Sequence, residues 1–395
     1  MNNSVSAADA AALFDGGRLT LARQLAGIRK SELAHRISKS ATALAGWETG
    51  AKRPASSTVA ELALSLGVDP GFFAVRQDDV AMLSGTPHFR SLRSTTQITR
   101  DQATAYGQLA VDVSLSLEHH VELPHADIPS YPVAPEDIED ASPEEAARFV
   151  RQQWQLDPGP VGHLVRLMEN HGVLVVFSPP GTASVDAYSF DSYARPVVVL
   201  NPTKRDYYRQ RFDVAHELGH LVMHGDAEPG GRIIEEQANR FAAEFLMPES
   251  NIRDSLPKTM GRTVWTTLGK LKEQYGVSMQ ALLFRSRRLG QLGDVSYRNA
   301  MTTVSARGWR RHEPGVINTV EQPSLLAKAV EILDEVGITE QILVSQCRVP
   351  AELYRQVVSR APLESHLETA PILDERQSRS TTVVSLMDRF KMTDS

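Results

Sequence analysis

Phe212-Asp213-Val214-Ala215-His216-Glu217-Leu218-Gly219-His220-Leu221-Val222-Met223 is the stretch whose reading decides both fold and chemistry. On a helix, residues four apart share one face at about 6 Å, so His216 and His220 can each direct an imidazole nitrogen at one tetrahedral Zn²⁺. Glu217 then sits beside them, off the metal. There it can take a proton from a metal-activated water attacking a carbonyl and return it to the leaving nitrogen. The plainer alternative is a buried helix with two satisfied histidines, but the fixed spacing is specific to the metal reading.

A catalytic zinc takes three protein ligands and keeps one position open. The chain has a single cysteine, Cys347, so the donors must be histidines and carboxylates. His224 lies eight residues beyond His216, about 12 Å along a helix axis, too far to share an ion with it; it caps or packs the helix end before Gly225. Downstream, Ala238, Phe241, Ala242 and Phe245 mark the apolar face of a second helix that can lie against the first. Glu235 and Asn239, one turn apart on it, can serve the site, Glu235 as ligand and Asn239 by orienting a ligand histidine. Glu236 competes with Glu235, since one residue of register changes the face presented. Solvated acids at a helix start are the bland reading of both.

These two segments, 212–224 and 235–248, resemble the ImmA/IrrE family of metallopeptidases, with looser likeness from about 145 to 310. The resemblance implies a zincin-like peptidase with narrow regulatory targets, typically helix-turn-helix repressors of mobile elements or stress genes. It also implies His216, His220 and Glu235 as metal ligands, Glu217 as the base, and Zn²⁺ or Mn²⁺ as the metal.

Nearer the start, Lys30–Ile37, the turn 38–40 and Ala41–Glu48 have the spacing of a helix-turn-helix, with Leu33, Ile37, Leu44 and Trp47 holding two helices at a steep angle. Residues 18–73 resemble the Xre/Cro class of DNA-binding domains. That likeness implies Ala41, Thr42, Ala45 and Gly46 facing the major groove, with Lys39, Ser40, Lys52 and Arg53 near phosphates. Alanine and glycine offer base edges no side-chain hydrogen bond, so weak sequence specificity is expected. A helical domain that docks a protein is the alternative.

The rest of the chain sets the frame. Its 395 residues predict two or three domains, and 42% hydrophobic, 23% charged and 6% aromatic residues exclude global disorder, collagen-like and low-complexity classes. The net charge of −6 argues against a generally cationic coat, yet residues 15–61 hold eight bases against four acids. Apolar runs such as Val197–Leu200 fall far short of the about 20 residues a bilayer needs. Met1–Ala12 lacks a secretory pattern, so no membrane association and a cytoplasmic location are expected.

Periodicity predicts a long helix over 97–120, then four prolines (Pro124, Pro129, Pro132, Pro135) that make 123–142 a linker or extended wrap. A helix capped by Ser142 follows, then one over 161–170, strands over 173–177 and 196–200, helices over 264–275 and 278–290, and a last helical set over 324–358. The expected fold is multidomain: an all-α helix-turn-helix domain over 14–76, a connecting helix and Pro-rich linker over 77–141, an α+β zincin-like metallopeptidase domain over 142–310, and a C-terminal helical region with polar tail over 311–395.

Three smaller features read as ordinary. His119, His120 and His125 look like surface or linker residues, Tyr207 and Tyr208 like packing, and Arg285, Arg287 and Arg288 like a solvated helix face.

The combined expectation is a DNA-binding, regulatory zinc-dependent endopeptidase that cuts a specific protein, by the resemblance a helix-turn-helix transcriptional repressor. The alternative is a transcriptional regulator whose zincin-like domain senses a ligand or partner without proteolysis. Helix-turn-helix geometry adds the expectation of a homodimer.

Overall fold

A computed structural model describes residues 5–74, 88–89 (backbone only), 96–136, 140–179, 187–203, 206–225, 231–261, 263–315 and 319–361. The first five helices are α1 (Ala7–Ala12), α2 (Gly16–Leu25), α3 (Lys30–Arg36), α4 (Ala41–Glu48) and α5 (Ser56–Leu66). Local chemistry sets their limits: Asp15 caps α2, and the Ser40 hydroxyl accepts from the Ala43 amide at 3.1 Å to start α4. Gly67, at φ +66°, ends α5 in the left-handed conformation that a Cβ would penalise. Leu33, Ile37, Leu44 and Trp47 are all buried, as a steep α3–α4 crossing requires.

The basic character of this segment is smaller at the surface than its count. Arg23 is buried, with Nε 2.6 Å from Glu48 Oε1. Arg18 is buried too, pairing with Asp112 and donating through Nε to the Phe72 carbonyl at 3.2 Å. Both arginines spend their charge inside the protein.

Next come β1 (His88–Phe89), α6 (Gln97–Glu118), α7 (Ser142–Gln153), α8 (Leu164–Asn170), β2 (Leu174–Phe177), β3 (Ala187–Phe190) and β4 (Val197–Leu200). The four strands form one sheet in the order β1-β3-β4-β2, with β2 parallel to β4 and β3 antiparallel to both its neighbours. Of these strands β2 and β4 match the apolar runs expected from sequence. Ser142 does not cap α7: Ala141 holds that position, and the Ser142 hydroxyl instead donates to Asp140 at 2.5 Å.

The chain continues through α9 (Tyr207–Met223), α10 (Arg232–Leu246), α11 (Glu249–Ile252), α12 (Val264–Tyr275), α13 (Met279–Arg288), α14 (Asp294–Ala306), α15 (Leu325–Glu335), α16 (Glu340–Cys347) and α17 (Ala351–Val358). Strand alternation divides the apolar side chains between two cores. Leu174, Val176, Tyr188, Phe190, Val197 and Val199 face the first core, with α1–α6 and α15–α17. Val175, Phe177, Ala187, Val198 and Leu200 face the second, with α7–α10 and α12–α14.

The first core joins residues from 10–123, 174–199 and 326–357. Helix α6 lies between the helix-turn-helix and the sheet. Tyr188 donates to the Ala103 carbonyl at 2.7 Å and Tyr106 to the Phe177 carbonyl at 2.9 Å. The proline-rich stretch is a wrap: Tyr131 and Val133 donate their amides to the carbonyls of Val222 and Met223 at 2.9 and 3.3 Å, along the end of α9. Burial pushes the Cys347 thiol in α16 up to about 11, which leaves it protonated and unreactive.

The α6–β3 contact is tight at Gly107, where a Cβ would stand 2.4 Å from the buried Phe190 ring. Gly107→Ala is therefore expected to destabilise the protein by about 1–3 kcal/mol despite alanine's better helix propensity. Urea denaturation checks this; an unchanged midpoint would show that the ring yields freely.

Candidate functional site

Helix α9 is anchored before it reaches the functional residues. Asp206 caps it by accepting from the amides of Tyr208 and Arg209 at 3.0 and 3.2 Å. Buried Arg211 then ties its first turns to the Val161 and Gly276 carbonyls and to Glu321. One and two turns on, His216 and His220 are fully buried and lie on the face that meets α10. Their Nε2 atoms stand 3.0 Å apart. Glu235, in the first turn of α10, brings Oε2 to 3.4 Å from His216 Nε2 and Oε1 to 3.7 Å from His220 Nε2. Glu236 is exposed, turned away by one step of helix rotation.

The hydrogen bonds around these residues decide where the lone pairs point. His216 Nδ1 lies 3.1 Å from Asn239 Oδ1, an acceptor, so the ring proton is on Nδ1 and Nε2 carries a lone pair. For His220 the relay is longer. Gln237 donates through Nε2 to the Ala134 carbonyl at 2.9 Å, which turns its Oε1 toward His224 Nε2 at 2.9 Å. His224 must donate there, so its Nδ1 accepts from His220 Nδ1 at 3.1 Å. His220 Nε2 is thereby also the nitrogen that carries the lone pair.

Two lone pairs and a carboxylate thus converge in one site, and among the described residues Glu235 Oε1 has no hydrogen-bond donor. Such a group of like-sensed donors is costly unless a cation lies among them. Ligands about 2.1 Å from a tetrahedral ion are about 3.4 Å apart, and the distances of 3.0, 3.4 and 3.7 Å bracket that value. The residues fit a divalent metal. Because Gln237 sets the tautomers two residues away, Gln237→Ala is expected to weaken metal affinity by roughly 10- to 100-fold without changing stoichiometry. A competitive chelator titration reads this; unaltered affinity would mean that the relay does not hold His220.

Glu217 is buried beside the cluster and accepts a hydrogen bond from Ser189 Oγ at 2.7 Å. Ser189 comes from β3, so the strand holds the carboxylate in place. A groove of about 700 Å³ opens past the end of β3, walled by Asp191, Tyr193, Pro132 and Val133 and reaching His224.

At the helix-turn-helix, Lys39, Ser40, Ala41, Thr42, Lys52 and Arg53 are exposed, and Ala45 and Gly46 are half-buried. Two of them have other duties. The Lys52 stem lies over Gly46, where a Cβ would be 3.8 Å from its Cδ, and Arg53 donates to the Ala12 carbonyl at 2.9 Å.

Residues 168–287 match the family model described as the IrrE N-terminal-like domain, a peptidase M78 type, and residues 19–73 match the model described as helix-turn-helix. The helix-turn-helix module comes first along the chain and the M78-type module second. No curated protein matches it. The M78-type match contains His216, Glu217, His220, Glu235 and Asn239, and the helix-turn-helix match contains the α3–α4 pair.

Several residues around the site escaped the sequence reading. Ser189 lies on a strand, Ala187-Tyr-Ser-Phe190, that lacks β-branched residues, and Gln237 acts through contacts with His224 and Ala134 that no local spacing reveals. His224, by contrast, sits at the C-cap of α9 as expected and meets His220 one turn back. Others sit apart from this cluster. His120 Nε2 is 2.8 Å from Gln346 Oε1, and the Tyr208 ring packs under Lys272 Nζ at 4.3 Å. Arg285 is not part of a solvated face: it is buried and paired with Glu244.

Proposed function

We propose that this protein is a DNA-binding regulator that cuts a specific partner protein by metal-dependent hydrolysis, with a helix-turn-helix transcriptional repressor as the substrate class. The observation that carries the reading is the convergence of His216 Nε2, His220 Nε2 and Glu235, whose Oε1 has no hydrogen-bond donor among the described residues, beside a buried glutamate. His216, His220 and Glu235 hold the metal, and Asn239, His224 and Gln237 orient the two imidazoles. A divalent cation, zinc or manganese, supplies Lewis acidity to the carbonyl being cut.

Glu217 supplies the proton chemistry. Its carboxylate accepts a proton from the attacking water and delivers it to the departing amide nitrogen, so that one C–N bond and one water become a carboxylate and an amine. Ser189 steadies Oε2 through this exchange. The exposed start of α4 meets DNA through phosphate contacts more than base contacts, since Ala41 and Ala45 have no polar reach. No helix among the described residues is long and apolar enough to cross a membrane; the reading places the protein with its DNA in the cytoplasm, and pairs two copies on a twofold operator.

Partners captured by the Glu217→Gln protein supply the test. Incubated with the wild-type protein, the substrate is expected to be cut at one site, with cleavage lost to a chelator and restored by added metal. Intact partners and unchanged gene regulation by Glu217→Gln would instead establish a regulator that senses without cutting.

A further inference from the structure

The end of α16 holds a cation that the fold does not balance. Arg348 follows that helix at φ +54°, a left-handed conformation uncommon for a long side chain and costly enough to be found where function retains it. Its half-buried guanidinium donates through Nη1 to the Ala74 carbonyl at 3.3 Å and pairs with no carboxylate among the described residues. The acids around it are already engaged. Asp69 accepts from the Gly71 amide at 2.7 Å, Glu340 pairs with Arg355 at 2.7 Å, and Asp112 is held by Arg18 and by Gln108 Nε2 at 2.9 Å. Arginine stays charged at any pH the protein meets, so partial burial without a counter-charge carries a desolvation cost that an anion would offset.

A cavity of about 480 Å³ opens beside Arg348, between α2, α6 and α16. That volume is in the range of small-molecule sites, about 300–1,000 Å³. The paired Arg18 and Asp112 line it, together with His119, whose ring no described residue hydrogen-bonds. Leu13, 61% exposed, and half-buried Leu115 give it an apolar border. At the same cavity His120 Nε2 lies 2.8 Å from Gln346 Oε1, which ties the end of α6 to α16. We propose that this cavity binds a small organic anion, a carboxylate or phosphate on a compact apolar body. Arg348 and the His119 ring meet the headgroup, and Leu13 and Leu115 meet the body. Helix α2 runs into the residues matched as helix-turn-helix, so an occupant fastens that module to α6 and α16 and stabilises the arrangement that binds it. None of these residues belongs to the metal cluster, and the site stands whether or not the protein cuts a partner.

The test is calorimetric titration of the full-length protein with benzoate, phenyl phosphate and inorganic phosphate. The first two carry one apolar body on the two headgroups, and the third is a headgroup alone. The expected result is one site per chain for benzoate or phenyl phosphate, at least tenfold tighter than for inorganic phosphate; whichever binds better assigns the headgroup. Arg348→Gln should weaken that probe at least tenfold. Leu13→Glu, which sets a like charge at the rim on an exposed side chain and so spares the fold, should do the same and decides the matter if Arg348→Gln misfolds. Failure of both aromatic probes to bind, or undiminished binding by Leu13→Glu, would overturn the proposal. Hydrogen exchange on unmodified protein locates the site: the bound probe should slow exchange in α16 and the last turn of α6, and slowing confined to other helices would also overturn it.

Discussion

Glu217→Gln is expected to slow partner cleavage by roughly a hundredfold to ten-thousandfold, the range for losing a positioned general acid–base group. Metal affinity should stay within a few-fold of wild type, because Glu217 points to Ser189 and is not among the converging donors. The amide keeps the volume and the hydrogen bond to Ser189 but cannot take a proton at neutral pH. Single-turnover cleavage of a captured substrate, with metal content measured on the same sample, separates chemistry from binding. Loss of metal together with activity would mean that Glu217 is a ligand, and undiminished cleavage would mean that the proton goes elsewhere.

The second large effect is structural. Arg211 on α9 is buried against Glu321, and donates through Nε to the Gly276 carbonyl at 3.2 Å and through Nη2 to the Val161 carbonyl at 2.8 Å. Glu321 in turn accepts from the Val165 amide at 2.8 Å. Arg211→Leu strands a buried carboxylate and orphans carbonyls, and should cost about 3–5 kcal/mol of stability. The double variant Arg211→Leu, Glu321→Leu should recover part of that loss, because the uncompensated charge goes with the partner. Urea denaturation of the single and double variants reads both. A double variant no more stable than the single one would show that the carbonyl contacts, not the ion pair, dominate. The consequence reaches the site, since Arg211 precedes His216 on the same helix.

The legible parts of this protein are those whose information is local. His216, Glu217 and His220 lie on one helix, so spacing alone places them together, and the α3–α4 core follows from Leu33, Ile37, Leu44 and Trp47. Glu235 and Glu236 could not be separated by spacing; the fold separates them through the burial of Ala238, Phe241 and Phe245, which turns Glu235 toward α9. The illegible parts are long-range. Gln237 is fixed by Ala134 and Glu217 by Ser189, partners brought close only by the wrap and by β3. Counting charges also misled, because Arg18 and Arg23, two of the eight bases in residues 15–61, pair with Asp112 and Glu48 in the interior. Burial and pairing depend on the whole fold, and no window of sequence contains them.

The central claim, that His216, His220 and Glu235 hold one divalent metal, is tested most directly by anomalous diffraction from crystals of zinc-loaded protein. The account predicts a single strong peak about 2.0–2.2 Å from His216 Nε2, His220 Nε2 and a Glu235 carboxylate oxygen. A peak bound instead by His224 or Glu236, or no peak between the two imidazoles, would contradict it.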